Sequence, residues 1–449
     1  MSQHGASQHG ASQHGVSRHG ALTIRPMRAD DDLDAELDLR HRAFGPMDGA
    51  DRGYWRDEML GCIAGGRQFG VWDGGELVGA ARYYDMRQYW HGRAVPMAGV
   101  GGVKVAPEAR GRGVGRALMT TLLGAMARRG YPLSVLYPAT AQIYRSLGWE
   151  MAGGRYLAKV PGRSLGALLP PDPEVPEVPE VPEVPAEEPE PAEPGEAGEA
   201  AEAGGSRPVR RAGPGDAAQV IAVLGAVHAA ARECGPATRD PDSVRRWLGE
   251  PGMFSYLAAD GFLAYGWHGG SDREIIVHVL AAGSARTARA LWRIVASHAS
   301  VTEVVHATVG PADPVGWLTR EPDVFLRMDE HWMLRVLDPA TAIAARGFPV
   351  AARARVALRL ADPDLPANAG HYTLAVTDGK GSISGLTARG SQSPGAGPVA
   401  LGPRGFAALY AGVPMATLRA AGLAGGGDAG SDGALDAAFA ARPYLLDHF

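Results

Sequence analysis

Val103-Lys-Val-Ala-Pro-Glu-Ala-Arg-Gly-Arg-Gly-Val-Gly-Arg-Ala117 is the stretch that indicates the fold. Val103 and Val105 alternate with other residues, as at the end of a strand, and Pro107 then interrupts the strand. Downstream, apolar residues recur at helical spacing, at Leu118, Met119, Leu122, Leu123 and Met126. The order is therefore a strand, a turn rich in glycine and arginine, and a helix. The first turn of a helix offers unpaired N–H groups and a positive dipole end, so this arrangement predicts an anion site.

The glycines of this turn do not follow the common nucleotide-binding patterns. A dinucleotide fingerprint that began at Gly111 would need glycine at position 116, where this chain has Arg116. A P-loop would need Gly-Lys-Ser/Thr, which this turn does not contain. The turn instead resembles the R-x-x-G-x-G/A signature of the GNAT acetyltransferases, read here as Arg110, Gly113 and Gly115. In that family the loop holds the pyrophosphate of acetyl-CoA, and the preceding strand pairs with the pantetheine arm. The alternative is a strand-to-helix turn without a ligand.

The length and composition indicate several globular domains. A chain of 449 residues exceeds one hydrophobic core, and two to four domains are expected. No apolar run reaches the roughly 18 residues of a membrane span, and no leader segment is recognised, so we expect a cytoplasmic protein without a membrane partner. Cys62 and Cys234 are far apart in sequence and are interpreted as buried residues in a reducing compartment, and no metal site is expected.

The charge of the chain is unevenly distributed. The net charge is −5, yet twelve acidic residues and no basic residue lie between Asp172 and Glu202. The remainder therefore carries an excess of about seven positive charges. This excess suits a small anion such as coenzyme A, and it is too diffuse to predict nucleic-acid binding.

Two segments have sequences that do not favour a packed core. Residues 1–21 repeat Ser-Gln-His-Gly-Ala, with His4, His9, His14 and His19 at five-residue spacing, and predict a disordered tail; weak metal chelation is the alternative. The linker, residues 166–208, contains four Pro-Glu-Val repeats, which favour an extended, solvated conformation. A proline-rich docking motif is the alternative interpretation of this linker.

The remaining sequence predicts α+β units. The first has a strand at 22–26, a helix opened by Asp30 to Asp32, a hairpin at 68–84, a strand at about 94–105, a helix at 114–129, a strand at 133–137 and a short helix at 141–147. From Val209 a similar order follows, without the arginine–glycine turn, which predicts a degenerate copy. From about Arg353 the pattern is rich in strands, with a turn at Asp378-Gly379, and then in short helices.

The whole arrangement resembles the enhanced-intracellular-survival (Eis) acetyltransferases, which are tandem GNAT folds followed by a sterol-carrier-protein-like α+β domain. Four stretches carry the resemblance: Val103–Gly113, Ile143–Trp149, Trp332–Gly347 and the terminal Phe449. Gly111 departs from the arginine that is common there. The resemblance implies a catalytic GNAT domain at 22–165, a degenerate one at 209–345 and a sterol-carrier-protein-like domain at 346–449, in a homo-oligomer, typically a hexamer.

The resemblance also implies roles for individual residues. Tyr144 would be the general acid, and the carboxylate of Phe449 would be the general base, in a terminus anchored by Tyr444, Leu445, Leu446 and the Phe449 ring. Trp55 would line the amine pocket. The contacts to acetyl-CoA would come from Val103, Lys104, Val105, Gly111, Arg112, Gly113, Val114, Gly115, Arg116, Ala139 and Thr140. Packing beneath Leu147 and Trp149 is the alternative for Tyr144.

Two functions remain open on the sequence alone. The first is acetyl transfer from acetyl-CoA to an amine of a polycationic small molecule, such as an aminoglycoside, or to a lysine side chain. The second is a non-catalytic acyl-CoA- or lipid-binding protein that uses its C-terminal domain. The arginine–glycine turn together with Tyr144 favours the first.

Overall fold

The computed structural model describes residues 17–19, 22–47, 49–170, 209–268, 273–385 and 397–449. These residues form two compact units, one from residues up to 84 and 100–125, the other from 85–99 and 126–449. No helix among them combines the length and apolar character needed to cross a lipid bilayer.

The strands are named in chain order. They are β1 Ser17–His19, β2 Leu22–Pro26, β3 Gln68–Asp73, β4 Glu76–Trp90, β5 Arg93–Val105, β6 Leu133–Leu136, β7 Glu150–Pro161, β8 Arg210–Ala212, β9 Cys234–Arg239, β10 Phe254–Ala258, β11 Gly261–Trp267, β12 Glu274–Ala282, β13 Val304–Val309, β14 Phe325–Val336, β15 Ala354–Leu360, β16 Gly370–Thr377, β17 Lys380–Gly385, β18 Val399–Leu401 and β19 Ala424–Gly425.

The α-helices are named in the same way. They are α1 Leu33–Phe44, α2 Gly49–Ala64, α3 Val114–Arg128, α4 Ala141–Arg145, α5 Gly162–Leu165, α6 Ala217–Ala230, α7 Pro241–Leu248, α8 Ala285–Ala296, α9 Val315–Leu318, α10 Pro339–Ala345, α11 Pro403–Tyr410, α12 Met415–Ala420 and α13 Ala429–Phe439.

The first unit contains an antiparallel sheet in which β2 pairs with β3 and β3 with β4. Helix α1 begins where the sequence predicted, because the Asp32 carboxylate accepts hydrogen bonds from the N–H groups of Asp34 and Ala35. Helix α2 had no clear periodic pattern and was not predicted. It places Trp55 and Met59 in an apolar cluster.

The second unit contains a long sheet with the order β6–β14–β7–β13–β12–β11–β10–β8. Strand β7 was not predicted, and it pairs on one side with β14 and on the other with β13, both much later in the sequence. In the same unit, β9 pairs with the second half of β4, where Met86 lies opposite Arg239.

The C-terminal part of the second unit is a smaller sheet with the order β17–β16–β15–β18–β19. Helices α11, α12 and α13 follow, and Phe406, Leu409, Leu435 and Phe439 are buried there. The predicted pattern of strands followed by helices is therefore found. The predicted turn is also found, and both of its residues, Asp378 and Gly379, have positive φ. The α+β fold class is confirmed.

The tail prediction needs one correction. Ser17–His19 form an edge strand against β2, because that edge offers unpaired backbone groups, so disorder is wrong for these three residues. The rest of the tail, including its alternative role in metal binding, concerns residues outside those that the structure describes. The same holds for residues 171–208 of the linker. Residues 166–170 are ordered, and the Leu169 N–H donates to the carbonyl of Leu318.

Candidate active site

The predicted pyrophosphate turn lies in the first unit, between β5 and α3. Pro107–Ala109 form a short 3-10 turn, and Gly111 and Gly113 follow with φ values of +75° and +78°. Only glycine adopts such angles without strain. No other atom lies within 4 Å of the position where a Cβ would stand at either glycine. The turn is therefore open above its backbone and fits an approaching phosphate.

Arginine side chains surround this open turn. Arg112 is half exposed and forms an ion pair with Asp73 at 2.6 Å. The Arg110 Nε donates to the carbonyl of Val105 at 3.4 Å and so returns to the end of β5. Val114, Gly115 and Arg116 form the first turn of α3, whose N–H groups and dipole favour an anion. The predicted residues Gly111–Arg116 therefore form one continuous turn that leads into the N-terminus of α3.

The side chain of Lys104 does not face an open surface. It is buried, and its Nζ lies 2.5 Å from Oε1 of the fully buried Glu36. Burial lowers the pKa of Lys104, and the Glu36 carboxylate opposes that effect. Gln68 also donates to Glu36 at 3.3 Å. The side chain of Lys104 is thus engaged in the interior, and only its backbone is left for a ligand.

The placement of Trp55 differs from the sequence interpretation. Trp55 is buried in the apolar cluster with Met27, Met59 and Ile63. Its ring packs in the interior of the first unit, because α2 turns its apolar side toward that cluster. The role of Trp55 in lining the amine pocket stays a prediction.

Tyr144 lies on α4 in the second unit, just after Ala139 and Thr140. Thr140 is the extended residue before the helix, and Tyr144 is only 6% exposed. Burial raises the pKa of Tyr144 to about 12, so the phenol keeps its proton at neutral pH. The side chain therefore has the protonation state that a proton donor requires.

The C-terminal segment is anchored within the second unit. The Tyr444 N–H donates to the carbonyl of Cys234, and the Leu445 N–H donates to the carbonyl of Gly154. The Leu445 side chain is fully buried. Closer to the end, Arg239 forms two hydrogen bonds with the Asp447 carboxylate, at 2.6 and 2.8 Å, and one with the His448 carbonyl. The hydroxyl of Tyr137 donates to the Asp447 carbonyl at 2.8 Å. The anchoring that the resemblance required is therefore present.

The ring of Phe449 packs beside Tyr137, with centroids 5.7 Å apart. A Cβ built on Gly99 would lie 2.9 Å from the Phe449 ring and 2.6 Å from the Met86 sulfur. Glycine inside a strand often marks a close approach of another group, and at Gly99 that group is the ring of Phe449.

The predicted residues divide between the two units. Val103–Val105 and Gly111–Arg116 belong to the first, whereas Ala139, Thr140, Tyr144 and Phe449 belong to the second. Sequence reasoning missed Tyr137, Arg239 and Asp447, which hold the terminus. The Asp447 carboxylate, two residues before Phe449, was the available signal for such an anchor.

Comparison with solved structures gives a likeness over almost the whole chain. A GCN5-related N-acetyltransferase from Kribbella flavida is 40% identical, with a TM-score of 0.79, over 95% of this chain and 98% of that one. This chain belongs to the GCN5-related N-acetyltransferase (GNAT) family. Family models agree: residues 23–152 and 236–336 each match an acetyltransferase (GNAT) domain, and residues 339–446 match a sterol carrier protein domain.

More specific relatives within the GNAT family carry the Eis name. The N-acetyltransferase Eis of Mycobacterium tuberculosis is 36% identical over 109 residues, which cover 22% of this chain and 27% of the relative. The match therefore spans about a quarter of the curated relative's length. Eis1 from Mycobacterium abscessus has a similar fold, with a TM-score of 0.69 and 22% identity over 95% of this chain and all of that one. The resemblance to Eis-like GNAT proteins is confirmed.

The second GNAT domain differs from the first at the corresponding turn. Ser284 caps α8, its hydroxyl accepting from the N–H of Thr287, and the Asp260 carboxylate accepts from the Thr287 hydroxyl. The carbonyl of Asp260 also accepts from the Gly283 N–H at 2.7 Å. The start of this helix thus already has internal acceptors and a nearby negative charge.

Proposed function

We propose that this chain is an acetyl-CoA-dependent N-acetyltransferase whose acceptor is an amine of a polycationic small molecule or a lysine side chain. The observation that carries the proposal is the open turn at Gly111 and Gly113, flanked by arginines at the start of α3, in a member of the GNAT family. The turn and the backbone of Val103–Val105 would bind acetyl-CoA, with Ala139 and Thr140 toward its thiol end.

Acetyl transfer requires two proton movements. The amine nitrogen attacks the thioester carbonyl, the carbon–sulfur bond breaks, and the thiolate takes a proton. Tyr144 donates that proton in this proposal, because its buried phenol is protonated at neutral pH. Backbone N–H groups near the reacting carbonyl would stabilise the oxyanion that develops.

The second proton leaves the attacking amine. In this proposal the terminal carboxylate of Phe449 accepts it, supported by the anchoring of residues 444–448 through Arg239, Tyr137 and the backbone of β7 and β9. An ordered terminus is unusual, since chain ends generally fray unless specific contacts hold them.

The second GNAT domain has a supporting role in this proposal. Its equivalent turn is occupied by Ser284 and Asp260, and a pyrophosphate placed there would meet a carboxylate. Its β9 contributes Arg239, which holds the C-terminal segment. We therefore assign acetyl-CoA binding to the first GNAT domain alone.

A lipid-binding function is the second candidate. The C-terminal domain has an open cavity of about 440 Å³. Leu409, Val413 and Phe439 line its apolar part, and Asp436 and Arg442 its polar part. If the protein does not transfer acetyl groups, this cavity in a domain of sterol-carrier type would favour a function in binding an acyl chain. The homohexamer implied by the resemblance and the cytoplasmic location expected from the sequence stay predictions.

The test is thiol release from acetyl-CoA with a panel of polyamines, aminoglycosides and lysine peptides, with acceptors identified by the mass of one added acetyl group. We expect turnover with at least one polycationic class. Tyr144→Phe should lower kcat by roughly 100-fold, within the usual range for a lost general acid, with little change in acetyl-CoA affinity.

Tyr265→Phe is the matched control, because it removes a tyrosine hydroxyl that lies 3.0 Å from His298 Nε2 in the second GNAT domain. Unchanged kcat in Tyr144→Phe would exclude the acid assignment. Lack of turnover with every acceptor, together with tight binding of a fluorescent fatty acid, would favour the second candidate.

A further inference from the structure

The turn that follows Tyr144 is held from outside its own domain. Helix α4 has only five residues, so its position depends on the contacts that fix its ends. The Tyr144 carbonyl accepts hydrogen bonds from the N–H groups of Leu147 and Trp149, at 3.0 and 3.1 Å. Any group that fixes Leu147–Glu150 therefore also fixes the backbone of Tyr144.

Arg335 holds the first part of this turn. It is fully buried on β14, and its Nε donates to the Leu147 carbonyl at 3.0 Å. Its Nη2 contacts both carboxylate oxygens of Asp362, at 2.6 and 2.7 Å. Asp362 belongs to the sterol-carrier-type domain, where it also accepts from Leu365 and Asn368. The orientation of the Arg335 guanidinium is thus set by that domain.

Glu150 holds the other end of the turn. It is 4% exposed and pairs with Arg145 of α4 at 2.8 Å. Its second oxygen pairs with Arg404, at the start of α11, through two nitrogens at 2.6 Å each. One buried carboxylate therefore connects the helix of Tyr144 with the sterol-carrier-type domain.

The packing between these two contacts is close. Gly148 has a φ of +89°, and a Cβ there would lie 2.7 Å from both Arg335 Nε and the Cβ of Pro403. Pro403 is the first residue of α11 and the neighbour of Arg404. The turn thus has little room to move while the C-terminal domain is in place.

We propose that Asp362 and Arg404 of the sterol-carrier-type domain are positioning residues for Tyr144, acting through Arg335 and Glu150. This inference rests on the proposed function, in which Tyr144 donates the proton to the leaving thiolate. It gives the C-terminal domain a part in acetyl transfer that requires no lipid. Arg404 touches no reacting atom and acts only through the turn.

The experiment is a double-mutant cycle between Arg404 and Tyr144. Arg404→Met should lower kcat about tenfold and leave the KM for acetyl-CoA within twofold, because the turn loses its bidentate partner while the cofactor turn is untouched. Arg404→Lys, which keeps one charge contact, should recover part of the loss. In the Tyr144→Phe background, Arg404→Met should cause no further fall, since the group being positioned is gone.

The matched control is Arg419→Met. Arg419 forms a bidentate pair with Asp432 in the same domain, at 2.6 and 2.7 Å, and neither residue contacts the turn. We expect the control to retain wild-type kcat. If Arg404→Met does not fold, Arg404→Gln takes its place in the double-mutant cycle.

A second readout does not depend on turnover. Fluorotyrosine placed at position 144 should show a shifted or broadened ¹⁹F resonance in Arg404→Met and an unchanged one in Arg419→Met. An unchanged resonance, wild-type kcat in Arg404→Met, or an equal fall in both backgrounds would overturn the positioning role. Full activity of Tyr144→Phe would instead overturn the proposed acid while leaving the ¹⁹F result to decide the positioning role.

Discussion

Removing the side chain of Arg239 should release the last residues of the chain. Arg239 makes three hydrogen bonds to the terminal segment, two to the Asp447 carboxylate and one to the His448 carbonyl. Arg239→Met keeps an unbranched apolar side chain and deletes all three. Tyr444 and Leu445 would stay in place, because their N–H groups donate to Cys234 and Gly154 and do not involve Arg239.

The size of the effect depends on the burial of the pair. The side chains of Arg239 and Asp447 are 14% and 29% exposed. Exposed ion pairs contribute about 0.2–1 kcal/mol, whereas a hydrogen bond to a charged, sheltered group contributes about 1.5–3 kcal/mol. The three hydrogen bonds of Arg239 are partly sheltered, and we take about 2 kcal/mol for their combined contribution. That free energy corresponds to a roughly 30-fold change in the equilibrium between docked and released residues 446–449.

Carboxypeptidase digestion measures this docking without any acceptor. Because cleavage tracks the population of the released terminus when opening is fast, Phe449 should be lost roughly 30-fold faster from Arg239→Met, and kcat should fall by up to the same factor. Arg245→Met is the control, since its pair with Asp242 is largely exposed in the same domain. Wild-type release of Phe449 from Arg239→Met would refute the anchoring argument.

Three further predictions concern other parts of the molecule. Gly113→Ala should raise the KM for acetyl-CoA about tenfold and leave kcat nearly unchanged, because the φ of +78° at this position strains alanine by about 1–2 kcal/mol. An unchanged KM would contradict this prediction. Burial raises the pKa of Asp313 to about 6, so the folded protein binds that proton more tightly than the unfolded one and loses stability as pH rises from about 4 to 6. Asp313→Asn should therefore add about 3 kcal/mol to the free energy of unfolding at pH 8 and less than about 1 kcal/mol at pH 4, measured by urea unfolding. Equal gains at both pH values would exclude the mechanism. One glycine appended after Phe449 should abolish turnover without changing Tm, and an active extended enzyme would exclude the terminal base.

The elements that the sequence predicted have local signals. Asp32 caps α1, and the apolar spacing of α3 and the turn at Asp378-Gly379 are visible without tertiary information. Strand β7 lacks such a signal because Gly153 and Gly154 interrupt its pattern. The structure explains Gly153: a Cβ there would lie 2.3 Å from the Pro443 carbonyl, a contact across almost 300 residues.

The candidate site was predictable where the chemistry depends on one local turn. Gly111, Gly113 and the start of α3 form a contiguous motif, and the structure gives them the expected open geometry. The partners of the C-terminal segment could not be found in this way, because Arg239, at the end of β9, and Tyr137, just after β6, approach Asp447 from distant parts of the sequence. Trp55 is a different case: its ring is buried in an apolar cluster, and its role in an amine pocket stays a prediction.

Strand β14 makes the first GNAT domain inseparable from the later domains of the chain. It lies between β6 and β7, with Met333 opposite Leu136 on one side and Met151 on the other. A fragment ending before residue 171 would lose the partners on both edges of β7 and on one edge of β6, and it should aggregate. A protease cut between residues 171 and 208 should instead leave a nicked protein whose two pieces stay associated, and the pieces should reassemble when co-expressed.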